Sequence, residues 1–368
     1  MSERAGCLVV DSDGHVIERP EVWAQYLEPR FRERAPRFVV DEHGKSAQRI
    51  GDGLTGRIAA EVSARVEQAS LEEIGARTGG WDPKVRLQDM DSEGIDLAVL
   101  FPSMSFFVCE VADPELDAAL CRAYNDWLAD YCATAPDRLF GVALLPLQDV
   151  AASVTELERC AESHGFRGAF FRPNPYAGRP IQHPAYEPFW QCAESLGVAI
   201  TVHEGLSDSL PTLGRDRFEN PISLHVCSHS FEQMAACLGV LQSGILERHP
   251  GLRFAFLESG CGWLPYWLDR IDSHFETWRS YFPALTIKPS ESFRRQCFVA
   301  CDPDDVIAPM VVEQVGDECV VWASDYPHPD AQFPGALDVT LRSLAGLSES
   351  SRARLLGSNG QRLFGLPS

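Results

Sequence analysis

Four side chains with metal-binding chemistry stand at the ends of apolar segments. Asp13 and His15 follow the run CLVVD, His203 ends the run VAITVH, and Asp325 lies in the segment SDYPH. In an extended backbone, side chains two residues apart project to the same side, so Asp13 and His15 can converge on one cation. Singly, such residues are more often structural, as when a strand-end aspartate caps a helix. Together, two imidazoles and two carboxylates predict a site for one divalent ion, zinc, manganese or iron, with positions left open.

The elements that must bring these residues together are short apolar runs, each followed by a longer segment with helical spacing. Eight runs occur, at 7–11, 95–101, 139–146, 168–173, 198–203, 253–259, 296–301 and 319–325. Their nearly continuous hydrophobicity is typical of parallel strands buried on both faces. Eight strands alternating with helices predict a TIM-like (β/α)8 barrel of the α/β class, whose strand ends meet at one rim. The alternative is an open doubly wound sheet, but DSDGHV is not the Gly-rich phosphate turn such sheets usually carry.

Residues 28–90 depart from this rhythm of strands and helices. We interpret them as an insertion after the first strand, with a small β excursion around the turn at Glu42–Gly44 and a polar stretch of loop or short helix up to Trp81. Barrels of this kind routinely exceed about 250 residues as one domain, so we predict a single domain over residues 1–368.

Composition limits the partners and the location that we expect. The chain has 32 basic and 53 acidic residues and a net charge of −21, which repels phosphate backbones and anionic membranes. We therefore predict no nucleic-acid partner and no membrane partner. The 12 cysteines include no CxxC pair, which argues against zinc ribbons and thioredoxin-type redox sites. The first residues, MSERAGCLVV, do not form a secretory signal pattern, and we predict a cytoplasmic protein.

Several segments in combination resemble the amidohydrolase-related branch of the amidohydrolase superfamily. They are the DSDGH start, His203 after the fifth strand, the SDYPH segment, LERHPGLRFAFLESGCGWLPYWLDRID at 246–272 and LLGSNGQRLFGL at 355–366. That family includes decarboxylases of aminocarboxymuconate semialdehyde, γ-resorcylate and 5-carboxyvanillate. The resemblance implies that the four strand-end residues hold the metal, with Asp13 in place of the His or Glu that usually fills the first position.

The same resemblance favours one metal ion over two. Binuclear members of the superfamily often bridge their metals with a carboxylated lysine at the end of strand four, where this chain reads GAFFRP and has Arg172. The only lysines are Lys45, Lys84 and Lys288. An arginine stays protonated at any working pH and cannot form the bridging carbamate. Arg172 offers instead a planar fork for a substrate carboxylate, with an internal ion pair as the alternative.

The segment after strand six departs from the resembled decarboxylases. They generally carry a histidine there, for proton handling or in the metal surroundings, whereas this chain has Glu258. A carboxylate can take up and return a proton if its pKa is raised, and it can bind a metal, but it cannot act as a neutral N–H donor. The alternative is that Glu258 merely pairs with an arginine.

Two further histidines are candidates for the pocket. His229 stands four residues after His225 in ISLHVCSHSFEQM, on one face if that stretch is helical. We group His229 with Asp325 and Glu258 as catalytic candidates. His328 follows Asp325 by three residues and is a candidate for substrate binding, with a turn between two prolines as the alternative.

Two reactions fit this predicted site. The resemblance implies non-oxidative decarboxylation of a small aromatic or unsaturated acid, with Asp325 or Glu258 protonating the carbon before CO2 leaves. The alternative is a hydrolase of an ester, amide or lactone, in which the metal activates water and Asp325 transfers its proton. The overall resemblance favours the first reaction and the missing strand-six histidine favours the second.

A non-catalytic barrel is a third hypothesis, which the loss of a ligand position would favour, and none of the four is lost. In each version the ligand is a small organic molecule, of the kind handled in secondary metabolism. We also expect a homo-oligomer, a dimer for which an apolar surface of the insertion would suit the contact.

Overall fold

A computed structural model describes residues 5–40, 46–55, 77–205, 210–329 and 331–367. Within these ranges the strands are β1 (Val10–His15), β2 (Arg37–Val40), β3 (Ser46–Ile50), β4 (Gly53–Thr55), β5 (Leu97–Phe101), β6 (Leu139–Ala143), β7 (Gly168–Phe171), β8 (Ala199–His203), β9 (Phe254–Leu257), β10 (Cys297–Cys301) and β11 (Val320–Trp322).

Helices fill most of the segments between the strands. The α-helices are Pro20–Tyr26, Pro83–Glu93, Pro114–Cys132, Val150–His164, Glu187–Leu196, Pro221–Gln242, Ile245–Arg248, Leu264–Thr277, Pro289–Gln296, Ala308–Val315, Ala336–Ser343, Glu349–Ala353 and Asn359–Phe364. Shorter 3-10 turns cover Pro29–Arg34, Thr78–Gly80, Met104–Glu110, Pro184–Tyr186 and Arg279–Tyr281, and a π-helical turn covers Arg354–Ser358. None of the helices in these ranges combines the length and the apolar character that crossing a bilayer requires.

Eight strands form one parallel sheet in the order β1-β5-β6-β7-β8-β9-β10-β11. The sheet closes between β1 and the segment after β11, where the His15 N–H donates to the Tyr326 carbonyl (2.6 Å) and the Asp325 N–H donates to the Asp13 carbonyl (3.0 Å). The predicted (β/α)8 fold is confirmed. The first strand begins at Val10, later than the predicted run, and continues through His15, with a register shift against β5 between Asp11 and Gly14.

Burial of the barrel strands follows from their hydrophobic pattern. Each of the eight is buried along its whole length. Because helices cover the outside and side chains fill the inside, both faces of each strand leave water, as expected for parallel sheets. The polar side chains of Asp11 and Thr201 on these strands are therefore buried, and both are hydrogen bonded.

Part of the predicted insertion forms a separate small sheet. Strands β2, β3 and β4 pair antiparallel, with Arg37 opposite Arg49 and Ile50 opposite Gly53. The predicted turn at Glu42–Gly44 and residues 56–76 lie outside the described residues. The helix Pro83–Glu93 occupies the end of the predicted insertion. The single-domain organisation stays a prediction.

Candidate metal centre

Two histidines at the ends of β1 and β8 turn one ring nitrogen toward the barrel axis. Both are fully buried. His15 Nδ1 lies 2.7 Å from the Pro102 carbonyl oxygen, and His203 Nδ1 lies 2.8 Å from the Glu204 carbonyl oxygen. A carbonyl only accepts hydrogen bonds, so in the neutral imidazole, the form that binds a metal, each Nδ1 carries the proton and each Nε2 carries a lone pair. A carbonyl that accepts a hydrogen bond from the far ring nitrogen is typical of metal-binding histidines.

Three carboxylates surround these two Nε2 atoms. Asp13 Oδ1 lies 3.4 Å from His15 Nε2, and Asp13 Oδ2 lies 3.2 Å from His203 Nε2. Asp325 Oδ1 lies 3.5 Å from His15 Nε2. Glu258 Oε2 lies 3.0 Å from His203 Nε2 and 4.0 Å from His15 Nε2. The structure therefore brings together the four predicted metal ligands and adds Glu258 beside them.

The inward atoms of this cluster have no hydrogen-bond partner among the described residues. They are the Nε2 atoms of His15 and His203, Asp13 Oδ1 and Glu258 Oε2. Unpaired buried polar atoms are costly, and a shared cation would satisfy all of them at once. Imidazole nitrogens with carboxylate oxygens suit manganese, zinc or iron. The cluster therefore fits one divalent metal ion.

The charge balance of the cluster also favours a cation. Burial lowers the pKa of His203, but the Asp13 and Glu258 carboxylates outweigh burial and raise it well above its ordinary value. Burial raises the pKa of Asp13 and Glu258, but His203 outweighs it and the pKa of both carboxyls is lowered. The anionic carboxylates thus stabilise positive charge at the point where a metal would lie.

Two of the carboxylates stand on unusual backbone. Glu258 has φ of +52° and Asp325 has φ of +55°, in the left-handed region that few residues other than glycine adopt. Such conformations cost free energy and persist only where the surroundings hold them. At Asp325 the N–H donates to the Asp13 carbonyl, which fixes the ends of β1 and β11 against each other.

A buried clamp that the sequence did not reveal holds this junction. Asp11 accepts hydrogen bonds from the Ser324 N–H (2.9 Å) and hydroxyl (2.6 Å). Arg86 Nη1 donates to the His15 carbonyl (2.9 Å), and Arg86 Nη2 lies 3.7 Å from Asp11 Oδ2. The charge of Asp11 at the end of the otherwise apolar first run was the one feature of the sequence that could have indicated its role. The clamp ties the backbone of His15 to the segment that carries Asp325.

Both ring nitrogens of His328 contact protein side chains. His328 Nδ1 lies 2.6 Å from Asp325 Oδ1, and His328 Nε2 lies 2.9 Å from the Ser103 hydroxyl. Its ring centroid is 4.1 Å from that of His15. These contacts orient the Asp325 carboxylate. Burial raises the pKa of Asp325, although His328 lowers it in part. The substrate-binding role of His328 stays a prediction.

Arg172 is engaged within the protein. Its guanidinium is fully buried and donates to Asn174 Oδ1 (3.2 Å) and to the Gly205 carbonyl, and it lies 3.7 Å from Glu204 Oε1. Burial raises the pKa of Glu204 to about 7, while Arg172 acts to lower it. This is the internal ion pair that was the alternative at the sequence level. We therefore do not assign Arg172 to a substrate carboxylate.

Glu258 and His229 face each other across the rim. His229 Nε2 lies 3.5 Å from Glu258 Oε1. The ion-pair contacts of Glu258 within the described ranges are to histidines and include no arginine, in contrast to the alternative of an arginine partner. The helix Pro221–Gln242, capped by Asn220, contains both His225 and His229, and their stacked rings show that they share a helical face.

The apolar wall of the site and a further acid were also missed. Phe106 packs against both histidines, 5.7 Å from the His15 ring and 4.9 Å from the His203 ring. Buried Glu18 accepts the N–H groups of residues 103–105 and so holds the turn that carries Phe106. Asp302 directly follows β10, and burial together with nearby carboxylates raises its pKa well above the ordinary value. Because Asp302 stands at the carboxyl end of a barrel strand, the rule that identified the other candidates also applies to it.

The chain is similar to decarboxylases along most of its length. It is 26% identical over 288 residues to the 2-amino-3-carboxymuconate-6-semialdehyde decarboxylase of Dictyostelium discoideum, covering 78% of this chain and 77% of that protein. It is 29% identical over 342 residues to the gamma-resorcylate decarboxylase of Rhodococcus jostii strain RHA1, covering 85% of this chain and 99% of that protein.

Solved structures share the fold. An amidohydrolase from Mycobacterium avium subsp. paratuberculosis K-10 superposes with a TM-score of 0.80 at 22% identity, covering 98% of this chain and 100% of that chain. A dihydroxybenzoic acid decarboxylase from Polaromonas sp. JS666, solved with bound manganese and 2-nitroresorcinol, gives a TM-score of 0.67 at 21% identity, covering 98% and 97%. The amidohydrolase family model matches residues 10–366, which include the whole barrel and its rim. The chain belongs to the amidohydrolase family.

Proposed function

We propose that this protein is a metal-dependent, non-oxidative decarboxylase of a small aromatic or unsaturated carboxylic acid. The observation that carries the proposal is the cluster of Asp13, His15 and His203, whose ligand atoms lie within 4.8 Å of one another and include three that lack hydrogen-bond partners among the described residues. Asp325 adjoins this cluster, with Oδ1 3.5 Å from His15 Nε2. The similarity to two decarboxylases over three quarters or more of the chain supports this reaction over others.

The four strand-end residues would hold the ion. When bound, a divalent metal supplies positive charge that polarises substrate oxygens and stabilises negative charge developing on the substrate. The buried hydrogen bonds of His15 and His203 to carbonyls keep their Nε2 atoms directed inward before any ion binds. Preorganisation of this kind avoids the cost of reorienting ligands during the reaction.

His229 and Glu258 would handle the proton. The two side chains are 3.5 Å apart, next to the ligands and separate from the four of them. Because the pKa of Glu258 is lowered, its carboxylate would stay anionic and hold a protonated His229, and a proton delivered from His229 forms the new C–H bond on the substrate carbon. The bond to the carboxyl group then breaks, its electron pair returns to the unsaturated system, and CO2 leaves. General acid catalysis of this type typically contributes about 10²–10⁴-fold.

Hydrolysis of an ester, amide or lactone is the second candidate, favoured by one observation. Strand β9 is followed by Glu258 where the resembled decarboxylases carry a histidine, and Glu258 Oε2 lies 3.0 Å from His203 Nε2. A carboxylate at this position could accept a proton from an attacking water. The two candidates use the same ligands and differ in substrate.

A substrate panel separates the two reactions. Purified protein supplied with manganese or zinc is assayed for CO2 release from hydroxybenzoates and muconate-type acids, and for hydrolysis of esters and lactones. We expect CO2 release that His203→Ala abolishes together with metal binding, while His274→Ala, which removes an exposed imidazole outside the site, retains both. Hydrolysis without any CO2 release would replace the proposal by its alternative.

We further propose that the protein is a cytoplasmic homodimer. All 12 cysteines are free thiols, and ten of them are buried, which suits a reducing compartment. Exposed apolar side chains at Ile222 and Val226 lie one turn apart on a single helix, and a partner subunit would cover them. Light scattering should give twice the chain mass of 40.7 kDa, and Val226→Asp should shift it to the monomer. A monomeric wild-type protein would contradict the dimer.

A further inference from the structure

We propose that the rim carries a second, weaker divalent-cation site formed by His225, His229 and Glu258. One ligand atom from each of these three side chains lies within 4.8 Å of the other two. Two of the three ligands are separate from the metal centre described above, and the third, Glu258, lies between the two sites.

The helix Pro221–Gln242 prepares the two imidazoles. His225 and His229 are one helical turn apart, with ring centroids 3.7 Å apart and ring planes 25° from parallel. Asn220 caps this helix by accepting the N–H groups of residues 222 and 223, so the turn that carries His225 is held at its start. Two histidines at positions i and i+4 on one helical face are an established zinc-binding arrangement.

The orientation of His229 matches that of the histidines in the first site. His229 Nδ1 lies 3.1 Å from the His225 carbonyl oxygen and 3.2 Å from the Ser228 hydroxyl. The carbonyl can only accept, so the tautomer that donates to it carries the proton on Nδ1. The lone pair of Nε2 then points at Glu258 Oε1, 3.5 Å away. A lone pair facing a carboxylate oxygen at this distance is repulsive unless a proton or a cation lies between them. His15 and His203 use a backbone carbonyl and present Nε2 in the same way.

Glu258 is placed to serve both ions. Its Oε2 atom lies 3.0 Å from His203 Nε2 in the first site, and its Oε1 atom lies 3.5 Å from His229 Nε2 in the second. A bridging carboxylate of this kind joins the metals of two-metal centres, which are about 3.5–4 Å apart. The end of β7 lacks a lysine that could form a carbamate bridge, and Glu258 supplies a carboxylate from β9 in its place.

The second site should bind more weakly than the first. It offers three ligands, and both His225 and Glu258 are partly exposed, whereas Asp13, His15 and His203 are almost completely buried. Occupation would also remove His229 and Glu258 from proton transfer, so excess metal should inhibit turnover. This inhibition rests on the proposed function, whereas the binding itself does not.

A metal titration tests the binding without any substrate. The metal-free 368-residue chain is titrated with Zn2+ by calorimetry, and bound zinc is counted by elemental analysis after equilibrium dialysis against Zn2+. We expect two equivalents per chain, one tight and one weak. His225→Ala should keep the tight equivalent and weaken the second by more than the roughly 10- to 100-fold typical of losing an outer-shell partner. His203→Ala should abolish the tight equivalent, and His274→Ala should bind as the wild type does.

The outcomes are separable from those of the substrate panel. Wild-type protein that stops at one equivalent in millimolar zinc would overturn the second site, whatever the variants do. Two equivalents retained by His225→Ala would also overturn it. Two equivalents without CO2 release from any acid would leave the site standing and remove the proposed decarboxylation. Spin coupling between two bound Mn2+ ions would support the Glu258 bridge, and two uncoupled signals would overturn the bridge.

Discussion

Replacing Arg86 by methionine should loosen the seam where the barrel closes. Arg86 and Asp11 are each only 1% exposed. The guanidinium donates to the His15 carbonyl and stands 3.7 Å from the Asp11 carboxylate, which in turn binds Ser324. Methionine keeps most of the side-chain volume and removes the charge. The buried Asp11 carboxylate would then have lost its nearby cation.

The expected decrease in the free energy of unfolding follows from these contacts. Removing one partner of a buried ion pair costs about 3–5 kcal/mol. The 3.7 Å separation lies beyond hydrogen-bond range, so we expect the lower end of that range, about 3 kcal/mol, in which the loss of the hydrogen bond to His15 is included. The same change removes the hydrogen bond that holds the backbone of His15, one of the proposed metal ligands, so the affinity of the protein for zinc should also fall.

The pH dependence of the stability loss in Arg86→Met should identify the Asp11 carboxylate as its cause. Burial already raises the pKa of Asp11, and Arg86 lowers it in part, so the variant should raise it further. An acid whose pKa is raised in the folded state destabilises that state above its folded pKa, and this penalty disappears as pH falls below the unfolded pKa. The stability deficit of Arg86→Met should therefore be largest near neutral pH and shrink in acid.

Urea unfolding across pH, followed by circular dichroism, measures these effects. Adding Asp11→Asn to Arg86→Met removes the uncompensated charge and should recover the larger part of the loss. The matched control is Arg30→Met, because the Arg30 side chain is 63% exposed and surface ion pairs contribute about 0–1 kcal/mol. An Arg86→Met protein within about 1 kcal/mol of the wild type would refute the reasoning.

Three other predictions concern single side chains. Burial raises the pKa of Asp117 to about 7, so Asp117→Asn should stabilise the protein by up to about 4 kcal/mol near pH 8 and little near pH 4 in urea unfolding; a pH-independent difference would contradict this. Glu258→His restores the histidine of the resembled decarboxylases, and kinetics should show a changed rate or pH profile; unchanged kinetics would place Glu258 outside the chemistry. His328→Phe removes the contacts to Asp325 and Ser103, and titration should show metal binding weakened by about 10- to 100-fold; wild-type affinity would argue against an orienting role.

The strand ends could be predicted because they depend on local pattern and one general rule. Continuous apolar runs indicate buried parallel strands, and parallel strands in a barrel present their carboxyl ends at one rim. Because His203 and Asp325 stand at the ends of predicted strands, the rule placed both of them at the rim. The meeting of Asp13 with His203 across 190 positions of chain needed no more than this rule and the order of the strands.

Other features of the site depend on contacts that no local pattern contains. The clamp of Asp11 on Ser324 spans 313 positions, and Arg86 reaches it from a helix in the predicted insertion. The sequence left Arg172 open between a fork for a substrate carboxylate and an internal ion pair, and in the structure Asn174, Gly205 and Glu204 contact its guanidinium.

The amino-acid sequence by itself determined the barrel, the residues at the strand ends and their metal-binding character, because hydrophobic period and residue chemistry are properties of neighbouring positions. Only the tertiary structure decided which polar groups are hydrogen bonded within the protein and which remain available to a ligand at the rim. Hydrogen bonds between distant segments set that division: the Pro102 carbonyl, 87 positions from His15, accepts a hydrogen bond from its Nδ1 and leaves Nε2 for a cation. The Gly205 carbonyl, 33 positions from Arg172, accepts a hydrogen bond from its guanidinium.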